Sequence, residues 1–215
     1  LHFTQARQFC QQLGKVRGEI HARLNLANLA RAEYAYSVAR KDYEQVLHLA
    51  REIGYRWGEA IARYELADVL RGLGDYGGAL EQFTRSLTVL REIDEPFHEN
   101  YAQVDIGRLY VHLGDFKQAH ELLHIELERS QDFTMLDAKL DAWLAISLLY
   151  QLTGKLDSAL EYATRSLDLA NERKNRRYEG FARIALGRAL SSLARWSEAR
   201  EVYAHAVTLY QQFEM

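Results

Sequence analysis

A nine-residue segment occurs twice in this chain, 80 residues apart, and this internal repeat constrains the fold more than any other feature. Residues 79–87 and 159–167 differ at only two positions. A related turn recurs every 40 residues, at Leu73-Gly74-Asp75-Tyr76, Leu113-Gly114-Asp115-Phe116, Thr153-Gly154-Lys155-Leu156 and Leu193-Ala194-Arg195-Trp196. Repeats of this length indicate a helical solenoid, an architecture whose usual role is to hold another molecule.

Composition narrows the fold class to all-α. The chain has one proline in 215 residues, and proline in a helix interior costs about 3 kcal/mol. The scarcity of proline therefore predicts nearly continuous helix and no sheet. The hydrophobic share of 48% is ample for a buried core.

Charge and cysteine content bear on partners and location. A formal net charge of −3 gives no general attraction to nucleic acid or to anionic lipid. No stretch approaches the roughly 20 apolar residues that a membrane helix needs, and the single cysteine cannot form an intramolecular disulfide. We therefore expect no direct nucleic-acid partner, no membrane partner, no cofactor and a cytoplasmic location.

Each unit divides into two blocks in which apolar residues recur at steps of three and four, separated by a short turn. This pattern predicts a helical hairpin. In the second unit the helices are predicted to run from Gly58 to Leu73 and from Tyr76 to Ile93. Gly74 is the predicted left-handed helix cap, and Asp75 is the predicted N-cap of the following helix.

The repeat unit resembles the tetratricopeptide repeat, in a 40-residue variety. Three kinds of position carry the resemblance. A small residue recurs in the first helix, at Ala27, Ala67, Gly107, Ser147 and Gly187. An alanine recurs where the two helices cross, at Ala39, Ala79, Ala119, Ala159 and Ala199. An aromatic residue begins the second helix, at Tyr36, Tyr76, Phe116 and Trp196, with Leu156 as the exception.

The resemblance implies a right-handed superhelical solenoid of antiparallel helix pairs that covers the whole chain as one domain. It implies an orphan helix at 2–13 and repeats at about 18–57, 58–97, 98–137, 138–177 and 178–215. The sequence departs from the family pattern in the first turn, where Tyr34-Ala35 replaces Gly-Asp, and at Glu126. Because the sequence begins within a repeat, we expect it to be part of a longer protein.

One segment matches a catalytic motif. His120-Glu121-Leu122-Leu123-His124 fits HExxH, in which two histidines one helical turn apart bind zinc. The segment lies inside an ordinary second helix, however, so the array already explains its helical form. No downstream signature completes the motif, and Glu161 is the only candidate that we can name for a third ligand. A zinc peptidase is therefore the weakest functional alternative, and adventitious metal binding is a further one.

A second segment, Gly72-Leu73-Gly74-Asp75-Tyr76-Gly77, fits the GxGxxG dinucleotide fingerprint. That fingerprint requires a preceding strand, whereas a helix is predicted to lead into this turn. Sibling units keep only the capping glycine, so we do not expect a nucleotide site here.

Tetratricopeptide arrays bind ligands on the face lined by their first helices. The resemblance therefore assigns groove positions along the first helix of each unit. The polar and aromatic positions are His21, Asn28, Arg31, Tyr64, Asp68, Arg71, Tyr101, Arg108, His112, Asp141, Gln151, Phe181 and Arg188. The apolar positions are Leu24, Ile61, Val104, Val111, Leu144, Leu148 and Ile184.

Two interpretations of the groove remain open. Arg31, Arg71 and Arg108 would form a cationic track for an acidic peptide, with Tyr64 and Tyr101 among the apolar anchors. Alternatively, the face is an ordinary solvated surface with internal pairs such as Asp68 with Arg71 or Arg108. The two-carboxylate clamp that the family uses for chaperone tails is not matched.

The resemblance implies a non-enzymatic module that binds a protein or peptide in its concave groove. Similar 40-residue arrays form sensor or scaffold arms of large bacterial signalling ATPases and transcription regulators, and occur in kinesin light chains and peptide-pheromone receptors. A receptor for a small effector or signalling peptide is the alternative. Apolar residues at both ends of the array, including Phe3, Phe9, Val207 and Phe213, predict end-to-end self-association of the fragment.

Overall fold

The computed structural model describes residues 2–129 and 136–212. Over these residues the chain forms eleven α-helices and no strand. The helices are α1 (His2–Gln12), α2 (Val16–Ala32), α3 (Tyr36–Glu52), α4 (Arg56–Gly72), α5 (Tyr76–Glu92), α6 (Pro96–Leu113), α7 (Phe116–Arg129), α8 (Leu136–Leu152), α9 (Leu156–Glu172), α10 (Arg176–Ser192) and α11 (Trp196–Gln211). The all-α prediction is confirmed; the predicted start of α5 is correct, and the other three predicted boundaries of α4 and α5 differ by one or two residues.

The chain divides into two compact units, Leu1–Ala102 and Gln103–Met215, with the division inside α6. In unit 1, each helix from α1 to α4 packs against the next helix along the chain, and in unit 2 the same holds for each helix from α7 to α10. Within each unit the fold is therefore the predicted series of antiparallel helix pairs. The assignment of the whole chain to one continuous domain remains a prediction.

Left-handed residues end helices at intervals of 20 along the described parts of the chain, with position 134 lying outside them. Their φ lies between 53° and 82° at Gly14, Tyr34, Gly54, Gly74, Asp94, Gly114, Gly154, Lys174 and Ala194. The predicted cap at Gly74 is confirmed. Tyr34 takes the same conformation without being glycine, at a cost of about 1–2 kcal/mol, so the first turn keeps its shape although its sequence departs from the pattern.

The predicted N-cap is also confirmed. The Asp75 side chain accepts a hydrogen bond of 2.9 Å from the backbone N–H of Gly78, which satisfies one of the free N–H groups at the start of α5. Asp115 accepts the equivalent bond of 3.2 Å from the backbone N–H of Gln118 at the start of α7. The Gly-Asp turn thus ends one helix and begins the next.

The helix crossings are close, as the small residues predict. All five crossing alanines are buried, with exposed fractions between 0% and 3%. A Cβ added to Gly107 would lie 2.7 Å from Cδ2 and Cγ of Leu123, and one added to Gly187 would lie 2.5 Å from Cε1 of Tyr203. Contacts this short leave no room for a larger side chain unless the neighbour moves.

Large side chains of the second helices fill the space between helices. Tyr43, Phe83 and Leu123 occupy the same position in successive repeats, and all three are fully buried. Buried hydroxyl groups add hydrogen bonds between helices: Ser86 Oγ donates to the Ala60 carbonyl, and Ser147 Oγ donates to the Ala159 carbonyl, both at 2.8 Å. Glu126, at a position where the family pattern favours a small or apolar residue, is buried and lies 3.4 Å from Arg129.

Candidate functional site

The first-helix face of unit 1 carries an ion-pair network between α2 and α4. Arg31 Nη1 donates to Asp68 Oδ2 at 2.7 Å, and Arg71 pairs with the other oxygen of the same carboxylate. Arg31 Nε also lies 3.4 Å from Glu65. Burial lowers the pKa of Arg31, but Glu65 and Asp68 outweigh it and hold the pKa above its ordinary value. The predicted Asp68–Arg71 pair is thus confirmed, and Asp68 joins two repeats.

Asn28 lies on the same face and forms a hydrogen bond with a residue of the core. Its side-chain oxygen accepts a hydrogen bond from the hydroxyl of Tyr43, a fully buried residue of α3. Burial, followed by the nearby Glu65 carboxylate, raises the pKa of Tyr43. Asn28 therefore has a structural role in holding the end of a buried side chain, whatever else it contacts.

In unit 2 a second aspartate joins neighbouring first helices. Asp141 Oδ1 accepts a hydrogen bond of 3.0 Å from Arg108, and Asp141 Oδ2 accepts one of 2.7 Å from the Tyr178 hydroxyl. Arg108 also donates to Asp105 at 3.1 Å. Each of the three arginines predicted to form a cationic track therefore has a carboxylate partner within its own unit.

Two of the other predicted groove residues of unit 2, Gln151 and Phe181, have contacts with residues of α10, and two more are exposed. Gln151 donates hydrogen bonds of 2.9 Å to Ser192 Oγ and 3.3 Å to the Arg188 carbonyl. Phe181 is 37% exposed and packs edge-on against Tyr178, with ring centroids 6.1 Å apart. His112 and the Arg188 side chain are exposed. These residues remain predicted ligand contacts.

Several of the predicted apolar groove positions do not form a surface. Leu24, Ile61, Val104 and Val111 are all buried, with exposed fractions of 8% or less. They face the protein core because the apolar face of an amphipathic helix packs inward. By contrast, Tyr64 is half-buried and packs edge-on against Phe83 at 5.2 Å.

Six rings in unit 1 form a continuous array that we call the aromatic row: His21, Tyr55, Trp57, Phe97, His98 and Tyr101. Trp57 lies at its centre, with ring centroids 5.6 Å from His21, 5.9 Å from Tyr55 and 6.3 Å from His98. Phe97 continues the row, at 5.1 Å from both His98 and Tyr101. None of the six rings is fully buried, and Phe97 is 49% exposed.

Of the row, only His21 and Tyr101 were predicted from the groove positions. Trp57 and Phe97 precede the assigned positions 61 and 101 by four residues, which is one helical turn on the same face. That spacing is a signal that could have identified them. Tyr55 and His98 lie outside the periodic face, at the turn before α4 and in the first turn of α6, and no sequence pattern marks them.

Charged groups flank the aromatic row but are already paired. The Arg17 guanidinium lies over the Tyr55 ring, 5.0 Å from its centroid. His98 Nδ1 lies 2.8 Å from Glu95 Oε1. Burial raises the pKa of Glu95, but hydrogen bonds from the side chain and backbone of His98 outweigh it, so the pKa stays below its ordinary value. Arg17, Glu95 and His98 therefore leave no unpaired charge of their own beside the rings.

The two motifs that resemble catalytic signatures lie on a second helix and in a turn of the repeat. His120 and His124 lie on α7, and no group of three metal-ligating His, Cys, Asp or Glu side chains occurs among the described residues. Burial, followed by the neighbouring His120, lowers the pKa of His124. The GxGxxG segment is the turn between α4 and α5, and Gly74 is its left-handed residue. A helix precedes this segment, as predicted, where the fingerprint requires a strand.

None of the helices in the described part of the chain is long and apolar enough to cross a membrane.

Solved structures of several other proteins share this fold, among them the following three. BtubC (BKLC) from P. vanneervenii is 16% identical with a TM-score of 0.75, and the match covers 99% of this chain and 90% of that one. A Rap protein complexed with competence and sporulation factor is 15% identical with a TM-score of 0.73, covering 98% and 57%. A signal transduction ATPase with numerous domains from Pyrococcus horikoshii, which has a tetratricopeptide repeat sensor, is 13% identical with a TM-score of 0.69, covering 92% and 31%.

A comparison with curated proteins gives no match. The family model for the tetratricopeptide repeat matches residues 58–124 and 139–212, which together make up more than half of the sequence. These segments include four of the five crossing alanines and the Gly-Asp turns at 74 and 114. The fold is generally a non-catalytic scaffold for protein interaction. The chain belongs to the tetratricopeptide repeat family.

Proposed function

We propose that unit 1 binds a protein or peptide segment on its first-helix face and that the aromatic row is the main contact surface. The observation that carries this proposal is the continuous run of six incompletely buried rings along the first half of α2 and the starts of α4 and α6. Aromatic side chains dominate binding energy at interfaces because they bury a large area with little loss of conformational entropy.

The chemistry of the row favours an extended segment with apolar, aromatic or proline side chains. Ring faces in a row suit the flat side of a proline or aromatic residue, and a proline-rich segment loses little entropy on binding. An acidic ligand has competitors on the same face, since Asp68 already pairs with both Arg31 and Arg71, and Glu65 also lies against Arg31. We therefore assign the arginines a secondary role, in which a ligand carboxylate replaces part of the internal pairing.

The wider role that we propose is a sensor or scaffold arm of a bacterial multidomain signalling or transcription regulator in the cytoplasm. The ATPase from Pyrococcus horikoshii, with its tetratricopeptide repeat sensor, supports the sensor assignment. The Rap protein complexed with competence and sporulation factor supports the alternative, a receptor for a small effector or signalling peptide. The two roles differ in ligand size, so the shortest peptide that keeps full affinity distinguishes them.

Selection from a displayed random-peptide library, followed by titration calorimetry with one selected peptide, tests the proposal. The test variant is Phe97→Ala, because Phe97 is 49% exposed and its removal is expected to leave the fold intact. The matched control is Trp196→Ala, since Trp196 is 66% exposed at the start of α11. We expect Phe97→Ala to weaken binding by about tenfold, or 1.4 kcal/mol, and Trp196→Ala to leave it unchanged.

Trp57→Ala is the second variant, with circular dichroism as the check on folding. Peptides that bind all three variants as tightly as the original protein would refute the row as the site. The arginines are tested by adding salt, because attraction between exposed charges is screened over about 8–10 Å. Affinity that falls as salt rises, together with a larger loss of affinity in Arg71→Ala than in Phe97→Ala, would show that the arginines contribute more than the row.

A further inference from the structure

A pair of histidines in unit 2 has the arrangement of a metal chelate. Of the eight histidines in the sequence, only His120 and His124 are four residues apart. On α7 this spacing places them one above the other on one face. Their ring centroids lie 4.2 Å apart and the ring planes are tilted by 37°. His120 is exposed, so solvent reaches the pair.

A tyrosine from the next helix fixes one of the two rings. His124 Nε2 lies 3.1 Å from the Tyr150 hydroxyl of α8. In the tautomer in which Nε2–H donates to Tyr150 Oη, the lone pair is on Nδ1 of His124 and is free to coordinate. Histidine ligands of metals commonly donate their second ring N–H to a neighbouring oxygen in this way, which orients the ring and raises its basicity.

A shared ion requires the two rings to turn from their present stacking. Zinc–nitrogen bonds of about 2.0–2.1 Å at a tetrahedral angle require the two nitrogens to be about 3.3 Å apart, so the rings, whose centroids now lie 4.2 Å apart, must rotate until one nitrogen of each points at the ion. We propose that His120 and His124 bind one divalent transition-metal ion of the zinc, nickel and copper class. Imidazole nitrogen suits all three ions, and copper is expected to bind more tightly than nickel or zinc.

The proposed site is a binding site, not a catalytic one. No third His, Cys, Asp or Glu joins the pair among the described residues, so water must complete the coordination of the ion. The ion would link two successive turns of α7 and thereby stabilise that helix. Because Tyr150 belongs to α8 and also packs against Tyr162 of α9 at 5.7 Å, the oriented ring connects the site to two further helices.

Calorimetric titration of the tag-free protein with zinc chloride, and separately with nickel chloride, tests the site. We expect saturable binding of one ion per chain. His120→Asn removes an exposed ligand without disturbing the core and should weaken binding by at least about tenfold. His48→Asn is the matched control, because His48 is exposed on α3 and its helical neighbour at the same spacing is Glu52.

A second readout separates chelation from loose surface binding. The ion should raise the thermal midpoint of the original protein and of His48→Asn, but not that of His120→Asn, since linkage stabilises only a folded state that binds the ion. Binding of equal affinity in His120→Asn, or the absence of saturable uptake by the original protein, would overturn the proposal. A midpoint that rises equally in all variants would also overturn it, because the ion would then be bound elsewhere.

Discussion

Ser86 and Ser166 occupy the same place in the repeated nine-residue segment but form different hydrogen bonds. Both residues are fully buried. Ser86 Oγ donates to the Ala60 carbonyl of α4 at 2.8 Å and so links two helices. Ser166 Oγ donates at 3.0 Å to the Tyr162 carbonyl, one turn earlier in its own helix. Replacing each serine with alanine therefore measures what the bond between helices contributes.

The expected difference follows from these contacts. Alanine favours helix over serine by roughly 0.5 kcal/mol, and this gain cancels when the two variants are compared. A hydrogen bond between helices contributes about 1 kcal/mol net, whereas a serine bond back to its own helix contributes about zero. Ser86→Ala should therefore lower the free energy of unfolding by about 1 kcal/mol more than Ser166→Ala.

Urea denaturation followed by fluorescence provides the assay. Trp57 reports on unit 1, which contains Ser86, while Trp143 and Trp196 report on unit 2, which contains Ser166. Each variant is compared with the original protein through the probe in its own unit, and circular dichroism follows the total helix. Equal losses at the two sites, or a larger loss for Ser166→Ala, would refute the assignment of stabilisation to the bond between α4 and α5.

Three further predictions follow from packing, charge and exposure. Ala79→Leu or Ala159→Leu should destabilise the fold by about 1–3 kcal/mol through overpacking, and an unchanged denaturation midpoint would mean that the crossing positions are misassigned. Glu95→Gln should destabilise the protein at neutral pH. The difference from the original protein should shrink as the pH falls below the ordinary glutamate pKa, because the folded-state pKa of Glu95 is lowered; denaturation curves at several pH values measure this. Exposed Phe9 and Val207, at 60% and 56%, predict self-association at high concentration, which a strictly monomeric sedimentation profile up to the solubility limit would contradict.

The repeat frame could be predicted because it depends on local rules. The crossing alanines and the small residues of the first helices mark the points where two helices approach each other closely. The Gly-Asp turns mark the end of one helix and the start of the next. Tyr34 shows the limit of such rules, since it adopts the left-handed conformation without the expected glycine. The surrounding helix packing imposes that backbone geometry, and no local sequence preference reveals it.

The candidate site was less predictable because it depends on contacts between repeats. Pairing of Asp68 with Arg71 follows from helical spacing, but pairing of Asp68 with Arg31 bridges 37 residues and depends on how two first helices pack. The same reasoning explains why Tyr55 and His98 were missed. Their rings enter the aromatic row from a turn and from the start of a helix, where the periodicity of the helix face gives no information.

Hydrogen–deuterium exchange of the protein with and without a selected peptide is the most direct test that unit 1 binds its ligand on the first-helix face. The account predicts slower exchange at the N-terminal turns of α4 and α6 and in the first half of α2, where the aromatic row lies, with no change in α3 and α5. Slower exchange confined to α3 and α5, with the aromatic row unaffected, would contradict it.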